Sequence, residues 1–458
     1  MLNKAYETGK KLLAYQLISK VLNTQLNIAI ARAMSPEVYG AGNINFALLS
    51  TLILHFSREI FRKASLRSKS IPFSLSWFSV VVSWGLGCGL FFVWGGDPLT
   101  RLLFVVAGMI EALSEPFCLW ELMNLKAKGR VLGETLGFLV RGLVILMLAD
   151  LGVQAFGWGQ LAYSLIVLGS YIVTTPVIPP LEISQFEEEV VATSKALVVI
   201  SVLKFFLSEG EKLTITYLDI DKKEQGIYAL VSNLGSIVCR LVFLPIEEIT
   251  HNLFTKDLQR EEAIEAIRWV FGLMWTVGLL GVCYGIHFSD LCIQILYGSE
   301  WASIGTGSTL AVYSVYICVM AINGISEAIM FAKATQKELY LKQYWMLLLS
   351  LAFLGLTYLL SNLGAQGMIY SNIVVMSLRI ALSWKYLHEH FKLPAKRLLP
   401  PPPAFLSTLC SFVVLHLVKG FFSNLGFAVC GFLLLGVNLL VILKLQKGFL
   451  KPKQVKVD

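Results

Sequence analysis

LKFFLSEGEKLTITYL, residues 203–218, has the length and apolar content of a membrane span, yet it carries Lys204, Glu209, Glu211 and Lys212. A charge at the centre of a bilayer helix costs roughly 2.5–3.5 kcal/mol on insertion scales. Four such groups exceed what a lipid-facing helix carries. At helical spacing they cover an arc of roughly 160°, with Glu211 nearly in line with Lys204. They therefore face a bundle interior or a water-filled cavity. Two readings stay open: local pairing, Lys204 with Glu211, or a polar cavity lining.

The rest of the chain makes this span one of many. Of 458 residues, 56% are hydrophobic and only 15% charged, with mean hydropathy +0.69. A soluble domain has about 25% charged residues. The composition defines an integral membrane protein. At about 20 apolar residues per span, segments near 11–33, 40–61, 73–95, 100–123, 131–150, 156–178, 194–218, 225–249, 264–288, 304–331, 339–361, 365–387, 403–421 and 425–446 give about fourteen transmembrane helices.

The net charge of +8 does not point to nucleic acid. Numbering the spans alternately gathers the basic residues on one side: Arg58, Arg62, Lys63, Arg67 and Lys69 after the second span, Lys126, Lys128 and Arg130 after the fourth, and the lysines of both chain ends. Arg32, Arg101, Lys222, Lys223 and Lys419 fall on the other. Basic loops stay in the cytosol, so both termini are expected there. The start, MLNKAYETGKKLLAYQLISK, lacks a signal-peptide pattern and is expected to be a short cytosolic tail.

Aligning Gly40 with Gly226 also pairs Leu48 with Leu234, Ser50 with Ser236, and Asn23 and Gln25 with Glu209 and Glu211. Each half opens with a polar-studded span, a short turn and a glycine-led span. Six spans between copies keep the repeat parallel. The expectation is an all-α polytopic protein of two parallel six-helix lobes around a central hydrophilic cavity, with two extra C-terminal helices. The lobes are expected at 1–180 and 194–390, with a linker at 181–193 and the last spans and basic tail at 391–458.

The cavity candidates follow from charge and polarity inside spans. Lys20, Asn23, Gln25 and Asn27 mark the first span. Arg58 and Arg62 are four apart and share a helix face. Two guanidinium forks on one face suit a diphosphate, although basic residues after a span also follow from topology alone. Arg240 lies deep in its span and either pairs with Glu209 or Glu211 or contacts substrate. Pro245 is expected to break that helix near its end, just before Glu247 and Glu248. The substrate-binding set is Asn23, Gln25, Arg32, Arg58, Arg62, Glu209, Glu211, Lys212, Asn233 and Arg240. The structural or gating set is Lys204, Pro245, Glu247 and Glu248. Glu111, Glu115, Arg141, Glu327 and Arg379 are expected to be interhelical ties, with a kink at Glu115–Pro116.

Catalytic motifs are missing: no G-x-x-x-x-G-K-[ST], H-E-x-x-H or G-x-S-x-G occurs. No metal, cofactor or enzymatic activity is expected. The eight cysteines form no C-x-x-C pair and are expected to be buried free thiols.

Five stretches, SREIFRKA (57–64), SEGEKLTITYL (208–218), QGIYALVSNLGSIVCRLVFLPIEE (225–248), AINGISEAIMFA (321–332) and YSNIVVMSLRI (370–380), together resemble the eukaryotic Rft family. That family sits within the multidrug/oligosaccharidyl-lipid/polysaccharide exporters. The resemblance runs from residue 11 to about 390. It implies two six-helix lobes, an endoplasmic reticulum membrane location and a role in N-glycosylation. The implied activity is transport of Man(5)GlcNAc(2)-PP-dolichol from the cytosolic to the lumenal leaflet. The alternative is a scaffold that binds the same lipid and presents it to glycosylation enzymes. The family's charged cavity positions correspond here to Arg32, Arg58, Arg62, Arg240 and the Glu209/Glu211 pair. The implied partners are the dolichyl-diphosphate oligosaccharide, membrane lipids and enzymes of the pathway.

Overall fold

The computed structural model describes residues 22–65, 73–124, 126, 128–176, 179–180, 188–218, 220–256, 258–394 and 398–449. Lys20, linker residues 181–187 and both chain ends lie outside the described residues. The described chain is helical throughout and contains no strand. Its helices are α1 (22–33), α2 (Pro36–Ser65), α3 (Phe73–Val93), α4 (Pro98–Met123), α5 (Lys128–Met147), α6 (Val153–Thr174) and α7 (Glu188–Tyr217). There follow α8 (Lys222–Phe254), α9 (Arg260–Tyr297), α10 (Thr306–Lys333), α11 (Gln336–Leu359), α12 (Gly364–Phe391), α13 (Pro402–Val418) and α14 (Asn424–Phe449).

Among the described residues, ten of these are long and apolar enough to cross a membrane: α2, α3, α4, α6, α8, α9, α10, α11, α12 and α14. Helix α13 is a shorter apolar helix. The described part of α1 is short, and α5 and α7 are interrupted by charge. These three still coincide with spans expected from the sequence.

The chain divides into two compact units, Met1–Ala229 and Leu230–Asp458, with the boundary inside α8. In the first, α5 packs along α6, α4 along α6, and α2 along α3, α4 and α7. Helix α7, which the sequence partition assigns to the second lobe, thus packs on α2 in the first unit. In the second unit α10 is central, packed on α8, α9 and α12, while α11 flanks α12 and the terminal pair α13–α14 packs on α9.

Each unit carries the same connection. Helix α5 runs into a 3-10 turn at Ala149–Leu151 and then Gly152, with φ 61° and ψ −126°. Helix α11 runs into a 3-10 turn at Ser361–Leu363 and then Gly364, with φ 56° and ψ −136°. Only glycine adopts that backbone without strain. Two residues later a glutamine ties the turn to the start of another helix. Gln154 lies beside the Asp97 carboxylate ahead of α4, and Gln366 Nε2 donates to Ser308 Oγ in the first turn of α10 at 3.1 Å. The underlying sequences, LADLGVQ (148–154) and LSNLGAQ (360–366), are identical at four of seven positions.

Prolines shape the two key helices differently. Helix α4 is interrupted at Leu113–Ser114, just before Glu115–Pro116, and resumes to Met123. Pro245 does not end α8. The chain takes a π-helical turn at Cys239–Phe243 and then continues through Pro245 to Phe254. The wider turn accommodates a ring that cannot donate to the preceding turn. All eight cysteines are free, but Cys88 and Cys410 are exposed rather than buried.

Candidate functional site: paired charges inside the helices

In the first unit the arginines of α2 meet the carboxylates of α4. Arg58 Nη1 donates to Glu111 Oε1 at 2.7 Å and Nη2 to the Glu111 carbonyl at 2.8 Å. Its Nε also contacts the Glu115 carboxylate. Arg62 holds Glu115 bidentately, Nε to Oε2 and Nη2 to Oε1, both at 2.7 Å. Glu111 is 5% exposed and Glu115 3%. Arginine and glutamate pairs sit at matching four-residue spacing on facing helices, so the two faces close like a zip. Two positive and two negative charges cancel, as buried charges require.

The second unit builds its own balanced cluster around a related acid. ALSEPF (112–117) and GISEAI (324–329) match at Ser–Glu. Glu327, like Glu115, is the anchor. Arg379 of α12 donates to it through Nε at 3.1 Å and Nη2 at 3.3 Å. Lys342 of α11, only 2% exposed, reaches Glu327 Oε1 at 3.2 Å and Ser383 Oγ at 2.9 Å. Glu247 of α8 lies against Gly324 of α10: a Cβ built there would sit 1.7 Å from Glu247 Oε1. The acid is the same in each unit, but the cations come from different helices.

The remaining candidates are scattered. Lys204 bonds Glu59 of α2 at 2.6 Å, not Glu211. Lys212 bonds Glu209 at 2.8 Å. Glu211 accepts a short hydrogen bond from Tyr228 of α8. Arg240 is exposed and donates to Ser236 of its own helix, to Oγ at 2.7 Å and to the carbonyl at 3.2 Å. Asn233 and Asn23 are half-buried, while Gln25 and Arg32 are exposed. Glu248 and Pro245 are exposed, and Glu247 half-buried. Among the described residues, no group of three or more His, Cys, Asp or Glu side chains is placed to hold a metal ion. Sequence reasoning missed Glu59 and Tyr228 as partners of the α7 charges, and Lys342 in the Glu327 cluster.

A bundle of apolar helices tied internally by cancelled charges is the fold of a polytopic membrane protein. The model for the Rft protein family matches residues 6–83 and 98–453, and the chain belongs to that family. It is 30% identical over 496 residues to the Man(5)GlcNAc(2)-PP-dolichol translocation protein RFT1 of Xenopus tropicalis, covering 93% of this chain and 91% of that one. The Mus musculus protein of the same name is 29% identical over 452 residues, covering 86% and 83%. The fold is similar to that of a solved structure of the lipid II flippase MurJ in an inward closed conformation. The TM-score is 0.70 at 13% sequence identity, over 94% of this chain and 98% of that one.

Proposed function

We propose that the protein moves Man(5)GlcNAc(2)-PP-dolichol, or a close relative, from the cytosolic to the lumenal leaflet of the endoplasmic reticulum membrane. The observation that carries this reading is near-full-length similarity to translocation proteins of that name. The chemistry of the chain supports it. A sugar diphosphate needs polar groups within the membrane, while its polyisoprenoid tail can remain in lipid. Asn23, Gln25, Glu209 and Asn233 supply hydrogen-bonding groups for sugar hydroxyls.

The cations divide by availability. Arg58 and Arg62 are held by Glu111 and Glu115, and phosphate binding by that pair requires those carboxylates to let go. Arg240 is exposed and bonded to its own helix, so it can turn to a phosphate at little cost, and we assign it the first phosphate contact. The test is reconstitution of purified protein in liposomes with a labelled oligosaccharide-diphosphodolichol, following head-group access from outside. We expect protein-dependent movement, slowed at least tenfold by Arg240→Ala with the melting temperature unchanged. Saturable binding without movement would replace transport by a scaffold role.

A further inference from the structure

The two glycines that the sequence repeat aligns touch each other. Gly40 ends the first turn of α2, and Gly226 lies in the first turns of α8. A Cβ on Gly40 would lie 2.5 Å from Gly226 N, and one on Gly226 would lie 2.0 Å from the Pro36 carbonyl oxygen. Pro36, Gly40 and Gly226 are all buried. Both glycines are in ordinary helix, Gly40 at φ −63°, so neither is present for backbone conformation. Glycine within a helix costs roughly 0.5–1 kcal/mol relative to alanine. What it permits here is backbone against backbone.

Several features make this contact more than static packing. It joins equivalent ends of equivalent helices. Those ends share one side of the membrane, because an even number of spans separates them in the expected order. With no Cβ on either glycine, backbone meets backbone there. Directly behind Gly40, α2 takes a π-helical turn over Ala41–Phe46. Such turns are frequent at functional sites, and their irregular ladder allows a local shift of register. Two residues further along α8, Tyr228 is bonded to Glu211 of α7, which couples α8 to the charged span.

We propose that the Pro36–Gly40 turn and Gly226 form a gate that closes one end of the substrate path, and that a side chain at position 226 holds it open. The proposal rests on the transport reading for its purpose, but its geometry can be tested separately. Ala229, 4% exposed and one turn inside the contact, serves as reporter. Ala229→Cys protein in liposomes is treated with a membrane-impermeant maleimide, and mass spectrometry reads modification at that position. Gly226→Leu is compared with Gly226→Ala, and with Gly85→Leu, whose site has open space.

We expect Gly226→Leu to raise labelling at least tenfold and Gly226→Ala to raise it less. Gly85→Leu should leave it unchanged. Lipid movement should fall in the same order, with saturable binding retained. Wild-type labelling in a Gly226→Leu protein that still melts near the wild-type temperature overturns the gate. If that protein does not fold, Gly226→Ala decides: unchanged labelling and unchanged movement overturn it equally. If the wild type moves no lipid yet Gly226→Leu still exposes the reporter, the transport reading fails and the gate stands.

Discussion

Arg62 and Glu115 show how burial decides a residue's role. Taken alone, two arginines four apart look like a diphosphate clamp. In the structure their forks are filled by carboxylates at the same spacing on the next helix but one. Removing one member of a buried pair leaves its partner uncompensated, at about 3–5 kcal/mol. Arg62→Leu and Glu115→Leu are each expected to lower the melting temperature strongly in detergent. The double variant should recover most of that loss, because Arg58 keeps Glu111. Glu327→Gln should behave like the single variants in the second unit, since it strands Lys342 and Arg379. If Arg62→Leu instead melts like the wild type while lipid movement falls, the arginine serves phosphate rather than α4. The matched spacing of Arg58/Arg62 and Glu111/Glu115 was present in the sequence. What the sequence does not carry is which helices face each other. The pairing of Lys204 with Glu59 across α2 and α7 was hidden for that reason.

At the scale of elements, most of the helix plan was legible, because apolar length and charged loops dictate it. The repeat read from Gly40 and Gly226 has a second match at LADLGVQ and LSNLGAQ. That match is a turn, and its physical content is a backbone angle that periodicity does not reveal. Gly152→Ala and Gly364→Ala are each expected to cost of order 1–3 kcal/mol in stability. Gly169→Ala, with open space around it, should be neutral or slightly stabilising; equal melting temperatures for all three would remove the strain argument. At the start of α4, Asp97 caps the helix by accepting from the Thr100 backbone N–H at 2.8 Å and from its hydroxyl. These bonds hold its carboxyl below the ordinary carboxylate range. A depressed folded value stabilises above the unfolded value, about 3.9, and the gain fades as pH falls through the folded one. Asp97→Ala should therefore cost about 1 kcal/mol at neutral pH, with a difference from wild type that shrinks only in acid below about pH 4. A difference that stays constant down to pH 2 would mean the cap acts without its charge.

At the scale of the whole molecule, the number of crossings decides which loops share a side. Helix α5 is the informative case: it is long enough to span but carries Arg130, Glu134 and Arg141. It packs closely along α6 and enters the same 3-10 and glycine connection that joins α11 to α12, two helices apolar enough to cross. A parallel repeat then requires α5 to cross as α11 does. Counting from the α1–α2 turn, four crossings, α2 through α5, bring Asp150 back to the side of Ser35. If only the ten strongly apolar helices cross, three crossings put Asp150 on the opposite side. Both positions are exposed. An impermeant maleimide applied to sealed, uniformly oriented vesicles should therefore modify Ser35→Cys and Asp150→Cys from the same face, with Thr335→Cys modified from the other. Labelling of Asp150→Cys with Thr335→Cys would remove α5 from the membrane and end the equivalence of the two units. Labelling with Ser35→Cys would tie the charged α5 to its apolar counterpart and leave the polar groups of the first unit as features of membrane depth rather than of a solvated loop.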